Sequence, residues 1–238
     1  HFQPIVRLSD QQCVVFEALA RWQRDKRGFV YPNDFIPIAE ETGLVKSIDL
    51  QVLEKSCQAL KVWEKHYQCE DLYISCNLYC DHFFSPNLPD EIFQIIQRVG
   101  INPAQLRIEL TERALLDNKD IVLDNMMALK NIGVKILLDD FGTGYSSLSY
   151  LHRFPIDVLK IDRSFISNIH EHGKHKAIIK TIIDLAANLN MATVGEGIEH
   201  QADAELLDVM DCKYGQGYYF AKPMSAADVL TNNVLTLK

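Results

Sequence analysis

The chain has 238 residues, long enough for one large core or two small ones, and its 47% apolar and 24% charged content is that of a globular domain. Its net charge is −8 and its isoelectric point about 5.5, so bulk electrostatics argue against a DNA or RNA polymer or an anionic membrane as partner. No apolar run approaches membrane-spanning length, so no membrane insertion by this domain is expected.

The chain opens at His1, without Met, directly in strand-like sequence. It reads as one domain, residues 1–238, excised from a longer, multidomain protein that could itself be membrane-anchored. Phe2 to Leu8 predicts a strand, Ser9 to Gln12 a turn, and Val14 to Ala20 a second strand able to pair antiparallel with the first. Gln23 to Gly28 is a charged loop. Pro32 to Glu41 predicts a short helix closed by Gly43. Ile48 to His66 predicts a long amphipathic helix, with Leu50, Leu53, Cys57, Leu60 and Trp63 three or four residues apart.

Strand and helix then alternate. Leu72 to Leu78, Leu106 to Leu110, Lys135 to Leu138, Val158 to Ile161, Ala192 to Val194 and Lys213 to Gln216 read as strands. Leu88 to Val99, Ile121 to Asn131, Ser147 to Arg153, Lys174 to Leu189, Ala202 to Met210 and Ser225 to Asn232 read as helices. Gly100 and Gly133 are C-cap candidates, and Pro155 stops the short helix before it. Such alternation implies a parallel sheet with helical crossovers, and eight strands in one domain favour a closed barrel over an open sheet. Six cysteines form no CxxC pair, which points to reduced, buried thiols and a cytoplasmic setting.

Polar residues collect at the carboxyl ends of the strands. Glu17 lies in the second, Asn77 ends the third, and Glu109 lies in the fourth. Asp139 and Asp140 end the fifth, Lys160 and Asp162 the sixth, Glu196 follows the seventh and Gln216 ends the eighth. In a barrel these ends converge on one mouth, where active sites sit. Two adjacent acids ending an apolar strand repel unless a cation lies between them. Glu17, Asn77, Glu109 and Asp139 are hard oxygen donors suited to Mg²⁺ or Mn²⁺, without the His and Cys that Zn²⁺ prefers. Asp140 and Glu196 add charge for a second ion. Two such ions roughly 3.5–4 Å apart activate water for in-line attack at phosphorus. Lys160 can orient that water or steady developing charge, and Gln216 can hydrogen-bond it. Each residue also has a plain structural reading. A lone Glu can serve a salt bridge, Lys160 can pair with Asp162 or Asp140, Asn77 can cap a turn, and Glu112, Asp162 and Glu199 can be supporting residues only.

Other fragments carry less. Asp140-Phe141-Gly142 matches a kinase motif, but no Gly-rich loop or His-Arg-Asp segment accompanies it. Gly142 to Ser147 lacks the Lys of a P-loop. His170, His172 and His175 sit in a polar turn that reads as a solvated loop.

The ordered motifs resemble the EAL-domain phosphodiesterases of cyclic di-GMP. They are Phe16-Glu17-Ala18-Leu19-Ala20-Arg21-Trp22, Phe35-Ile36-Pro37-Ile38-Ala39-Glu40, Glu109-Leu110-Thr111-Glu112, Asp139-Asp140-Phe141-Gly142-Thr143-Gly144-Tyr145-Ser146-Ser147-Leu148, Leu159-Lys160-Ile161-Asp162 and Glu196-Gly197-Ile198-Glu199. The resemblance runs from Gln3-Pro4-Ile5-Val6 to Gly217-Tyr218-Tyr219-Phe220-Ala221-Lys222-Pro223. It implies a modified TIM (β/α)8 barrel with one antiparallel strand, and hydrolysis of cyclic di-GMP to linear pGpG with one or two Mg²⁺ or Mn²⁺ ions. It implies that Glu17, Asn77, Glu109 and Asp139 hold the first ion and that Asp139 and Asp140 serve the second. Lys160, Glu196 and Gln216 would manage the water, Gln3 and Arg21 would contact the substrate, and Glu112 would hold the loop after Asp140. It also implies a homodimer through that loop and a regulatory domain in the parent chain. Departures are small: Ala20 stands where Leu is commoner, and Tyr79 where Asn-x-Ser is commoner. The competing readings are a catalytically silent cyclic di-GMP receptor and a protein-interaction domain. Degenerate members lose a metal carboxylate, the signature Glu or the loop, whereas this chain keeps them all.

Overall fold

A computed structural model describes residues 1–24, 28–69, 71–116, 119–142, 151–167, 169–170 and 173–232. The expected loop from Thr143 and most of the expected helix Ser147 to Arg153 lie outside the described residues.

The strands are β1 (Phe2–Arg7), β2 (Cys13–Ala18), β3 (Trp22–Arg24), β4 (Gly28–Val30), β5 (Tyr73–Asn77), β6 (Leu106–Thr111), β7 (Lys135–Phe141), β8 (Val158–Ile161), β9 (Ala192–Gly195) and β10 (Tyr214–Gln216). Eight of them close a barrel in the order β1-β10-β9-β8-β7-β6-β5-β2. β1 runs antiparallel to both neighbours, and every other barrel pair is parallel. The expected hairpin of the first two strands is therefore the irregular corner of an otherwise regular (β/α)8 barrel. Of the charged loop expected at Gln23 to Gly28, Gln23, Arg24 and Gly28 instead belong to a small β3–β4 ribbon outside the barrel, with Trp22 opposite Val30, and residues 25–27 lie outside the described residues. Three-residue strands are too short to show a period in sequence.

Helix Val45–Tyr67 starts earlier than expected, because Val45 already buries its side chain behind the Gly43 turn. Leu53, Cys57, Leu60 and Trp63 form its buried stripe, and Gln68 caps it in the left-handed conformation. Helices Leu88–Val99, Lys119–Ile132, Gly173–Asn188 and Gln201–Val209 supply the outer layer. The main core lies between these helices and the outward face of the strands.

The barrel interior is layered. Side chains alternate along a strand, so residues two apart share a face. Ile5, Val15, Leu137, Val158 and Val194 form an apolar layer inside. Nearer the amino ends, the Arg107 guanidinium stacks on Tyr73 at 4.6 Å from the ring centre and lies 5.9 Å from that of Tyr214. One step toward the carboxyl ends, the same inward parity presents Gln3, Glu17, Glu109, Asp139, Lys160, Glu196 and Gln216. The apolar layer thus forms the floor of a polar mouth.

Candidate metal centre at the barrel mouth

β7 delivers two consecutive acids to one place, which an ideal strand cannot do. Its pairing with β8 slips between Leu138 and Phe141, and Asp140 adopts φ 55. This bulge turns the backbone so that Asp139 and Asp140 both reach the mouth. Oxygens of Asp139, Asp140 and Glu196 lie within 4.8 Å of one another, as do those of Glu17, Glu109 and Asp139. The two triads share Asp139.

Lys160 occupies the centre and is almost completely buried. Its Nζ lies 2.6 Å from Glu109 Oε2, 2.7 Å from Glu196 Oε1, 3.2 Å from Asp139 Oδ1 and 3.6 Å from Glu17 Oε2. Burial opposes charge on Lys160, yet Asp139, Glu109, Glu17 and Glu196 together hold its pKa well above the ordinary lysine value. Lys160 therefore pairs with these four carboxylates, while Asp162 accepts the Ser164 N–H and caps helix Arg163–Ile166.

One ammonium cannot balance this many carboxylates. Burial, and then the Glu17 charge, pushes Glu109 up to about 8. Burial also pushes Glu196 up to about 8, with Asp139 and Glu17 adding to it against the pull of Lys160. Partial burial, then Asp139 and Asp162, raises Asp140. Glu109 Oε1 is buried and has no hydrogen-bond partner. A buried acceptor left bare beside two further carboxylates fits a divalent cation, and the all-oxygen donor set fits a hard one.

The neutral residues frame these charges. Asn77, exposed at the rim, donates Nδ2 to Glu17 Oε1 at 2.8 Å. Gln216 donates Nε2 to Glu17 Oε2 at 2.6 Å and to Gln3 Oε1 at 3.3 Å, which leaves Gln216 Oε1 as a buried acceptor without a partner. Gln3 donates Nε2 to the Ala221 carbonyl at 3.1 Å, so it spans from β10 to the chain beyond it. Glu112 accepts the Gly142 N–H at 3.0 Å and thereby holds the first residue of the loop after β7. Thr143 and the residues after it lie outside the described residues.

The mouth is a cavity of about 320 Å³ lined by Gln3, Glu17, Asp139, Lys160, Glu196 and Gln216 among others. Arg21 is not brought into it. Arg21 donates to its neighbour's carbonyl, Ala20 O, and lines an adjacent apolar groove with Trp22 and Phe35. Arg163 and Tyr218 also line the mouth, although neither ends a strand in the sequence pattern. Tyr218 had a signal in its place, two residues after Gln216, but a lone aromatic there carries no chemical signature.

No helix among the described residues is long and apolar enough to cross a membrane. The family profile described as EAL domain matches residues 1–223. The chain is 36% identical over 98% of its length to the bifunctional diguanylate cyclase/cyclic di-GMP phosphodiesterase MucR of Pseudomonas aeruginosa, of which it covers 34%. It is 36% identical over 95% of its length to the cyclic di-GMP phosphodiesterase NbdA of the same organism, of which it covers 29%. The solved structure described as PaMucR phosphodiesterase in complex with c-di-GMP superposes with a TM-score of 0.90 at 36% identity, over 96% of this chain and 92% of that one. The chain therefore spans about a third of its curated relatives and matches one folded part of them. Profile, relatives and barrel agree, and this chain belongs to the EAL domain family.

Proposed function

We propose that this domain hydrolyses one phosphodiester bond of cyclic di-GMP to give linear pGpG. The observation that carries the reading is the set of four carboxylates paired with a single buried lysine, with Asp140 beside Asp139 and Glu196 and with Glu109 Oε1 left bare. Relatives whose names state this activity support the choice of substrate. Glu17, Asn77, Glu109 and Asp139 would hold one Mg²⁺ or Mn²⁺, and Asp139 and Asp140 a second, with Glu196 close beside it. Bound there, a divalent cation would acidify water and offset negative charge at phosphorus.

The chain's own groups do the rest. Lys160 Nζ keeps its protons and donates toward the attacking water and the phosphoryl oxygens. Gln216 Oε1, the free acceptor, receives a hydrogen bond from that water and fixes its direction. Glu196, ionised once bound cations offset its carboxylate neighbours, would accept the proton that the water loses, while the P–O3′ bond breaks and the departing 3′-oxygen takes a proton from solvent. The apolar layer below excludes bulk solvent. Gln3 and Arg21 would contact the nucleotide; for Arg21 this requires a swing out of the neighbouring groove. Incubation with cyclic di-GMP and Mn²⁺, followed by chromatography, tests the reading: linear pGpG supports it, and intact nucleotide refutes it.

The regulatory setting follows the same resemblance. The domain would work within a longer cytoplasmic or membrane-anchored protein, receive a signal from a regulatory domain, and pair with a second copy through the loop after Asp140.

A further inference from the structure

His82 is a buried histidine that the proposed chemistry does not use. Its Nδ1 lies 3.2 Å from Asp49 Oδ2 and its Nε2 lies 3.1 Å from Glu91 Oε2. The two carboxylates come from different outer helices, Val45–Tyr67 and Leu88–Val99. Asp49 is itself buried, and the same Oδ2 accepts the backbone N–H of Tyr79 at 3.0 Å. Tyr79 follows Asn77 by two residues. His82 in turn donates its backbone N–H to the Tyr79 carbonyl at 2.9 Å.

The segment from Asn77 to Ser85 is thus tied down from several sides. The Leu78 N–H reaches the Glu109 carbonyl at 3.0 Å, and Asn125 donates to the Phe83 and Ser85 carbonyls at 2.8 and 2.9 Å. Asn77 needs such support. It is exposed at the rim, and its carboxamide oxygen is a neutral donor with no charge to draw a cation toward it. Its usefulness as a ligand depends on where the backbone puts it.

We infer that His82 is a positioning residue for the metal centre: it clamps Asp49 against the Tyr79 N–H and so fixes the rim turn that presents Asn77. The inference rests on the metal-site reading above. Removing His82 frees one face of a buried carboxylate and lets the turn drift, as happens when a supporting hydrogen bond behind a metal ligand is lost.

The experiment measures Mn²⁺ affinity by electron paramagnetic resonance without nucleotide, alongside melting temperature and turnover. His82→Leu is expected to weaken Mn²⁺ binding about tenfold. Turnover at saturating Mn²⁺ should stay within about twofold of wild type, because the step itself uses other groups. His82→Gln keeps one donor for Asp49 and should lose only about threefold in affinity. Asp157→Asn, at the opposite end of the barrel, should lower the melting temperature and leave Mn²⁺ affinity unchanged. Wild-type Mn²⁺ affinity in a folded His82→Leu overturns the inference, as does wild-type affinity in His82→Gln if His82→Leu does not fold. An equal affinity loss in Asp157→Asn also overturns it, since the effect would then be general destabilisation. A wild-type protein that binds Mn²⁺ without turning over cyclic di-GMP refutes the proposed function alone. One that binds no Mn²⁺ refutes both.

Discussion

Lys160 Nζ and Glu109 Oε2 stand 2.6 Å apart inside the barrel, both almost fully buried. The pair lies at the centre of the mouth, and each partner has further company: Lys160 three more carboxylates, Glu109 an oxygen with none. The site is therefore held together by one internal cation while carrying negative charge enough for another.

Lys160→Met should expose that dependence. Losing one partner of a buried ion pair costs about 3–5 kcal/mol, because the carboxylates remain. Melting temperature in EDTA should drop sharply, and added Mg²⁺ should restore much of it. Turnover should fall about 10²–10³-fold, with a smaller change in nucleotide affinity, if Lys160 acts at the transition state. A matching loss of nucleotide affinity would make it a phosphate clamp.

Glu17→Ala should abolish turnover. Glu17 touches Asn77 and Gln216 and shares the first triad with Glu109 and Asp139, so its loss would disrupt the proposed metal ligation and the proposed water site together. Calorimetric Mn²⁺ titration of the variant should show weakened binding. Normal turnover would mean that the metal assignment is wrong.

Metal binding should release protons near neutral pH. Burial raises Glu109 and Glu196 from an ordinary 4.5 to about 8. Across that window the folded, metal-free chain holds protons that the unfolded chain has given up. Its stability therefore falls as pH rises from about 4.5 to 8, and the stabilisation that Mn²⁺ adds grows over the same range. Calorimetry at pH 7 in buffers of different ionisation enthalpy should report proton release on Mn²⁺ binding, and none well above pH 8. Buffer-independent heats at pH 7 would contradict the assignment.

Asp157 works in the opposite sense, at the amino end of β8. Burial alone would raise it, but hydrogen bonds from Lys130 at 2.5 Å, the Ile136 N–H at 2.9 Å and Lys135 at 3.1 Å outweigh burial and lower it. Its contribution is present above the ordinary Asp value and is lost as pH falls through the lowered one. Asp157→Asn should cost about 1.5–3 kcal/mol at pH 7, and the difference from wild type should shrink in acid. Urea unfolding at pH 7 and pH 3 checks both.

Gly217→Ala should disable the site without touching a charged group. A Cβ there would stand 2.0 Å from the Ile198 carbonyl oxygen and 2.3 Å from its nitrogen, so the backbone must move. Gln216 and Glu196 lie one and two residues from this contact. A cost of about 3 kcal/mol is expected, together with loss of turnover. An unchanged melting temperature would contradict the packing described at that corner.

Much of the mouth was legible in the sequence, because strand period and strand direction together dictate where a terminal carboxylate goes. Glu17, Glu109, Lys160, Glu196 and Gln216 needed only that rule. Asp140 did not follow it: neighbours in a strand face opposite sides, and only the bulge with its positive φ turns both acids inward. The β3–β4 ribbon leaves no such pattern in the sequence, because its strands are held by only three facing pairs. The motif implies a nucleotide contact for Arg21, yet its side chain turns to the groove beside the mouth. His82 gave no local signal, since its partner Asp49 lies 33 residues away and meets it only through the packing of helix Val45–Tyr67.

The most direct test follows one substrate and one product. Purified protein is incubated with cyclic di-GMP and Mn²⁺ or Mg²⁺, with an EDTA arm, and nucleotides are resolved by chromatography. Linear pGpG in the metal arms and none in EDTA is the predicted result. Intact cyclic di-GMP in every arm, from folded protein shown to bind Mn²⁺, would contradict it.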